Sequence, residues 1–148
     1  NIDSLYYKNT GDTMRDSFIP MASNPTHDEL IIAIKEGFAY FKQKMPTVTM
    51  EPVGPNHRDP YVKGDAENEW CWVSIDEQAI DERIPNLTKY LGAVSTRGDD
   101  LFAAVVAYSL CKKFGDSIDD NAGYLSAGTV FTLAEFEGAL QARLDSRI

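Results

Sequence analysis

Cysteine and histidine are scarce in this chain, positive charge is in the minority, and no long apolar run is present. Each shortage removes a class of protein. Only two cysteines occur, Cys71 and Cys111, far apart and outside any Cys-x-x-Cys spacing, so neither a disulfide framework nor a zinc ribbon is indicated. Both lie in apolar runs and are expected as buried thiols. His27 and His57 are the only histidines, each alone among metal-ligating residue types, so no metal or cofactor is expected. With 14 basic and 23 acidic residues the formal net charge is −9. That excludes a nucleic-acid backbone as partner unless basic residues are segregated into a patch, and none is visible. No stretch approaches the roughly 18 apolar residues that span a bilayer, and no charged-then-apolar leader is present. A soluble, cytoplasmic protein with no membrane contact is therefore expected, with the reservation that the chain starts at Asn1 without a methionine.

Catalytic signatures are missing as well. There is no Walker loop, no Gly-x-Gly-x-x-Gly and no His-Glu-x-x-His. Gly123-Tyr-Leu-Ser126-Ala-Gly128 has one residue too many for a serine nucleophile elbow. Counted as a calcium loop from Asp119, the chain places Gly123 fifth, not sixth, and puts Val130 where a bidentate glutamate belongs. The stretch reads better as a turn or an acidic loop.

What is present is enough for one well-buried core: 148 residues, 43% of them hydrophobic, predict a single domain. Its organising element is Gly98 to Gly115, GDDLFAAVVAYSLCKKFG, which has no clean polar face between Leu101 and Leu110 and reads as a central buried helix over 99–114. Asp99 is placed to cap its N-terminus, Lys112 and Lys113 suit its C-terminus, and Gly115 is expected to stop it in a left-handed conformation.

Residues 1–25 commit to no motif, although Leu5-Tyr6-Tyr7 suggests a short strand. Thr26-His-Asp-Glu29 is a capping box, opening a helix expected to run to about Met45 with Leu30, Ile34, Phe38, Phe41 and Met45 on its apolar stripe. Thr47–Val53 predicts a strand confined by Pro52 to a sheet edge. Residues 54–68 are rich in Pro, Gly and turn formers and are expected as the longest loop. Glu69–Ile75 is the clearest strand, with Cys71, Val73 and Ile75 on one face and Trp70, Trp72 and Ser74 on the other. A short acidic helix is expected over Asp76–Arg83, a strand over Leu87–Thr96, and a turn with a strand or hairpin from Asp116 through Gly128. Thr132-Leu-Ala-Glu135 is a second capping box, flanked by Phe131 and Phe136 as a hydrophobic staple. Its helix should turn Phe136, Leu140 and Leu144 inward and leave Glu137 outside. Three helices with four to five strands, not strictly alternating, give an α+β domain on a small, mostly antiparallel sheet.

Acidity is concentrated late in the chain: residues 1–66 hold seven basic and nine acidic side chains, residues 67–148 seven and fourteen. Asp65, Glu67, Glu69, Asp76, Glu77, Asp81 and Glu82 follow one another with no cation between Lys63 and Arg83. Trp70, Trp72 and nearby Tyr61 are interleaved with them. Aromatic anchors rimmed by charge suit a protein interface, in which Asp116, Asp119 and Asp120 would join. Against this stands the plainer arrangement of tryptophans packed beneath the terminal helix and acids on a solvated face.

The buried GDDLFAAVVAYSLCKKFG helix, followed by SIDDNAGYL and a capped terminal helix, in a small acidic chain without a catalytic set, resembles small bacterial immunity proteins of polymorphic toxin systems over residues 69–148. The resemblance implies a non-enzymatic, cytoplasmic, protein-binding antidote that binds a cognate toxin and blocks its active site; the acidic residues above would make that toxin a basic protein. It carries over no functional residue. Two alternatives remain open: a small enzyme using His57 as base and Asp59 as its orienter, and a structural or accessory subunit that self-associates.

Overall fold

A computed structural model describes residues 14–79, 81–84 and 87–147. Among the described residues seven strands form one sheet: β1 (Arg15–Met21), β2 (Thr47–Gly54), β3 (His57–Lys63), β4 (Trp70–Glu77), β5 (Tyr90–Thr96), β6 (Ser117–Asp120) and β7 (Thr129–Thr132). Their order across the sheet is β2-β3-β4-β5-β1-β6-β7, and every described pairing is antiparallel. Three helices of the described residues, α1 (His27–Tyr40), α2 (Asp100–Phe114) and α3 (Leu133–Asp145), pack against it. The fold is thus α+β, as the pattern of elements implies. The expected strand at Leu5–Tyr7 lies outside the described residues.

The central helix α2 touches α1, α3 and four strands of the sheet. This is why its apolar residues run all the way round: every residue from Leu101 to Cys111 is buried. Asp99 caps it by accepting from the Phe102 N–H at 2.9 Å. Gly115 ends it differently from expectation, with an extended backbone (φ −137°, ψ −176°). The need for glycine there is close approach, since a Cβ would lie 2.7 Å from Ile19 Cγ2 and 2.8 Å from the Pro20 carbonyl. Both capping boxes form as read, at Thr26/Glu29 and Thr132/Glu135. Phe131 and Phe136 meet edge to face at 5.3 Å, completing the staple.

Helix α1 stops five residues before Met45. Lys42 takes a positive φ of 56°, the Gln43 N–H returns to the Phe38 carbonyl and the Lys42 N–H to Ala39, the paired bonds of a Schellman ending. Met45 is consequently exposed and off the stripe. The expected loop over 54–68 is mostly strand. Pro55 and Asn56, whose φ is 60°, turn the chain tightly from β2 into β3, and the remaining link to β4 is short. Turn-forming residues gathered at both ends of β3, Gly54–Asn56 and Gly64–Asn68, give the whole stretch a loop-like composition. No helix forms among the described residues of 76–83: Asp76 and Glu77 continue β4, and the Asp81 carboxylate folds a local turn by accepting from the Arg83 backbone at 3.0 Å.

Glu137 stands at the half-exposed edge of its helix, as its position suggests, but it is not merely solvated. Its carboxylate accepts hydroxyl hydrogen bonds from Tyr108 on α2 and from Tyr40 on α1, the latter at 2.8 Å, joining all three helices. The Tyr108 hydroxyl, and then that of Tyr40, hold the Glu137 carboxyl below the usual glutamate range. Burial first, and then the bond to Glu137, push the Tyr108 phenol upward.

Candidate functional site

The helices occupy one face of the sheet. Ser17, Ile19, Val62, Cys71, Val73 and Val94 point toward them and are fully buried. Because side chains alternate along a strand, their neighbours form a second face on which no described helix packs. The register aligns Thr49, Tyr61, Trp72, Ser95 and Asp16 across five adjacent strands of that face. Beside them runs a second row, Ser74, Ala93, Phe18, Asp119 and Val130.

At the β2–β4 end this face holds a trough of about 550 Å³ lined by Glu51, Pro52, Tyr61, Trp70, Trp72 and Arg97. The Tyr61 ring lies 4.8 Å from that of Trp72 and 6.4 Å from that of Trp70. The Arg97 guanidinium sits over the Trp70 ring at 5.7 Å, a cation–π arrangement. Both tryptophans are half-buried and neither lies beneath the terminal helix. Charge around the aromatics is net acidic: Glu51, Asp16, Asp76 and Asp119 share the face with Arg97 and Lys63, and the Lys63 ammonium is already donating to the Gly64 and Ala66 carbonyls at 2.8 and 2.7 Å.

The sequence-level acidic run does not form one patch. Strand β4 is eight residues long, so its ends are about 25 Å apart. Asp65, Glu67 and Glu69 fall at one end, where Asp65 pairs with Lys44 and Glu69 accepts from the Ala66 N–H at 2.9 Å. Asp76, Glu77, Asp81 and Glu82 fall at the other, Glu77 within 3.7 Å of Lys89 and Asp81 2.8 Å from Arg83. The Arg83 guanidinium holds the Asp81 carboxyl low. Asp116 is exposed, and Asp119 belongs to the face that no described helix covers, called the uncovered face.

Asp120 has to be removed from the set of contact residues, because its side chain is fully buried. It accepts from the Ser17 hydroxyl at 2.7 Å and from the backbone N–H groups of Tyr124, Leu125 and Ser126 at 3.0, 2.8 and 2.8 Å. Those bonds shape the turn that the calcium count had failed to fit. Tyr124 then pins the turn to the sheet, its hydroxyl lying 2.7 Å from both the Arg15 and the Val94 carbonyls.

Arg97, Glu51 and Phe18 were not singled out from the sequence. For Arg97 a signal existed: alternation from Leu91 through Ala93 and Ser95 reaches it and places it on the face of Trp72, to which Ser95 pairs. Phe18 lacked one, since β1 carries no turn or cap signature.

His57 Nε2 and Asp59 Oδ1 are 2.9 Å apart, with the Asp59 side chain 11% and the His57 side chain 62% exposed. The two therefore meet as an orienting pair in the geometry, on a strand and not in a loop. Among the described residues no group of three or more metal-ligating side chains converges, and no helix is long and apolar enough to cross a membrane. Burial raises the thiols of Cys71 and Cys111, the latter to about 12, so both are poor nucleophiles at neutral pH.

No family model, curated protein or solved structure matches the chain.

Proposed function

We propose that this chain is a protein-binding module whose uncovered sheet face docks a basic protein, with Tyr61, Trp70, Trp72 and Arg97 at the centre of the contact. The observation that carries the reading is the composition of the trough. Tyr, Trp and Arg are the residue types that dominate binding energy at protein interfaces, and here they are collected on a face that no described helix covers. Rigid aromatic rings contribute contact area at little entropic cost. The acids around them, Glu51, Asp16, Asp76 and Asp119, together with the net charge of −9, favour a cationic partner and speed its approach. In its most specific form, carried by the resemblance to immunity proteins, the partner is a toxin and docking blocks its action.

The test is a pair of pull-downs from lysate of the source cells, one with the unaltered chain as bait and one with Trp72→Ser, both checked for folding by circular dichroism. A basic protein retained by the first bait, released by salt and lost from the second is expected. Retention by both baits alike, or by neither, contradicts the reading.

A further inference from the structure

We propose that a second site, the cleft between the first turn of α1 and the ends of β3 and β4 that lie beside it, binds a small organic carboxylate with an apolar body. The cleft measures about 340 Å³, within the roughly 300–1,000 Å³ typical of small-molecule sites. Its floor includes Leu30, Val73 and Ile75 and is apolar. Its polar lining is the unusual part. His27 and His57, the only two histidines of the chain, come together here from positions 30 residues apart in sequence, and Arg58 joins them.

In a chain with so many carboxylates, this lining contains one acid, Asp59, and its Oδ1 lies 2.9 Å from the His57 ring. Asp59 is nearly buried and so holds the more exposed imidazole in place. Arg58 donates from Nη1 to the Met50 carbonyl at 3.0 Å, which anchors the guanidinium and uses one of its five N–H groups. Met50 pairs in the sheet with Pro60, which has no N–H to offer, so Arg58 has a structural reason to stand at this rim. Its remaining donors, with the two imidazoles, suit a carboxylate at the mouth, while the aliphatic floor suits an apolar body beneath it. The aromatic trough shares none of these lining residues, so the two proposals stand or fall separately.

Two histidines give two ring Cε1–H signals, assigned through His27→Gln and His57→Gln, and these are followed by NMR while the full chain is titrated with benzoate. Both signals are expected to shift saturably with a Kd of about 1 mM or tighter. Arg58→Gln should weaken the response about tenfold, and Trp72→Ser should leave it unchanged. Benzyl alcohol and inorganic phosphate are titrated alongside. No saturable shift with benzoate up to about 20 mM, an equal response to benzyl alcohol, or an equal response to phosphate would each overturn the proposal. The alcohol result would remove the role of the cationic rim, and the phosphate result that of the apolar floor.

Discussion

The two faces of the sheet are built from the same strands and differ in burial and composition. Toward the helices, Ile19, Val73 and Val94 are fully buried, and the polar groups Ser17 and Asp120 are tied into hydrogen bonds. On the other face the large side chains are aromatic, only half-buried, and interspersed with carboxylates. A core cannot tolerate that composition without partners for its charges, whereas an interface uses it. The difference separates residues that hold the fold from residues that the fold holds out.

Breaking the covered side should cost most. Asp120→Ala would strand three backbone N–H groups and the Ser17 hydroxyl, and is expected to destabilise the domain by about 4 kcal/mol, read as a fall in the denaturant midpoint. Asp120→Asn should cost less because it keeps an acceptor. Gly37→Ala comes next. Its Cβ would fall 1.7 Å from Ser109 Oγ and 3.3 Å from the Ser109 Cα, forcing α1 and α2 apart for about 2 kcal/mol in chemical denaturation.

The uncovered side should separate stability from binding. Trp72→Ser is expected to change stability by about 1 kcal/mol while weakening partner binding at least about tenfold by titration calorimetry. A large loss of stability with binding intact would reverse the assignment of the two faces.

Glu137 sharpens the comparison from the helical side. Its folded pKa lies below the unfolded value, so its contribution is complete above the ordinary glutamate range near pH 4.3 and is lost as pH falls through the depressed folded value. Glu137→Gln should therefore flatten the stability profile below about pH 4, with an effect at pH 7 under about 1 kcal/mol once solvent screening is allowed for. Smallest in stability is the set Asp16→Asn, Glu51→Gln, Asp76→Asn and Asp119→Asn. Together these should leave the melting temperature nearly unchanged and reduce the salt dependence of partner association.

The covered face was the legible one. The burial of the 99–114 helix follows from its unbroken apolar surface, and both capping boxes follow from spacing alone, because those determinants are local. The alternation in β4 likewise separated Cys71 and Val73 from Trp70 and Trp72. What local patterns could not supply was which face of β4 the helices would take, and so whether the tryptophans would be packed beneath them. Strand β1 was invisible for the same reason: Arg15–Met21 is held by pairing to β5 and β6, not by any signal of its own. The acidic run misled because nearness in sequence along an extended strand is not nearness in space. Asp120 misled because a carboxylate in a turn looks alike whether it faces water or four internal donors.

Both tryptophans of the chain lie on the uncovered face, so intrinsic tryptophan emission reports on that face alone. The most direct measurement is acrylamide quenching of this emission, first on the free protein and then on its complex with the captured basic partner. Free protein that quenches readily, and a complex in which quenching falls and emission moves to the blue, is the expected result. A complex that co-elutes intact while emission and quenching stay as they were would place the partner elsewhere and contradict the assignment of this face as the docking site.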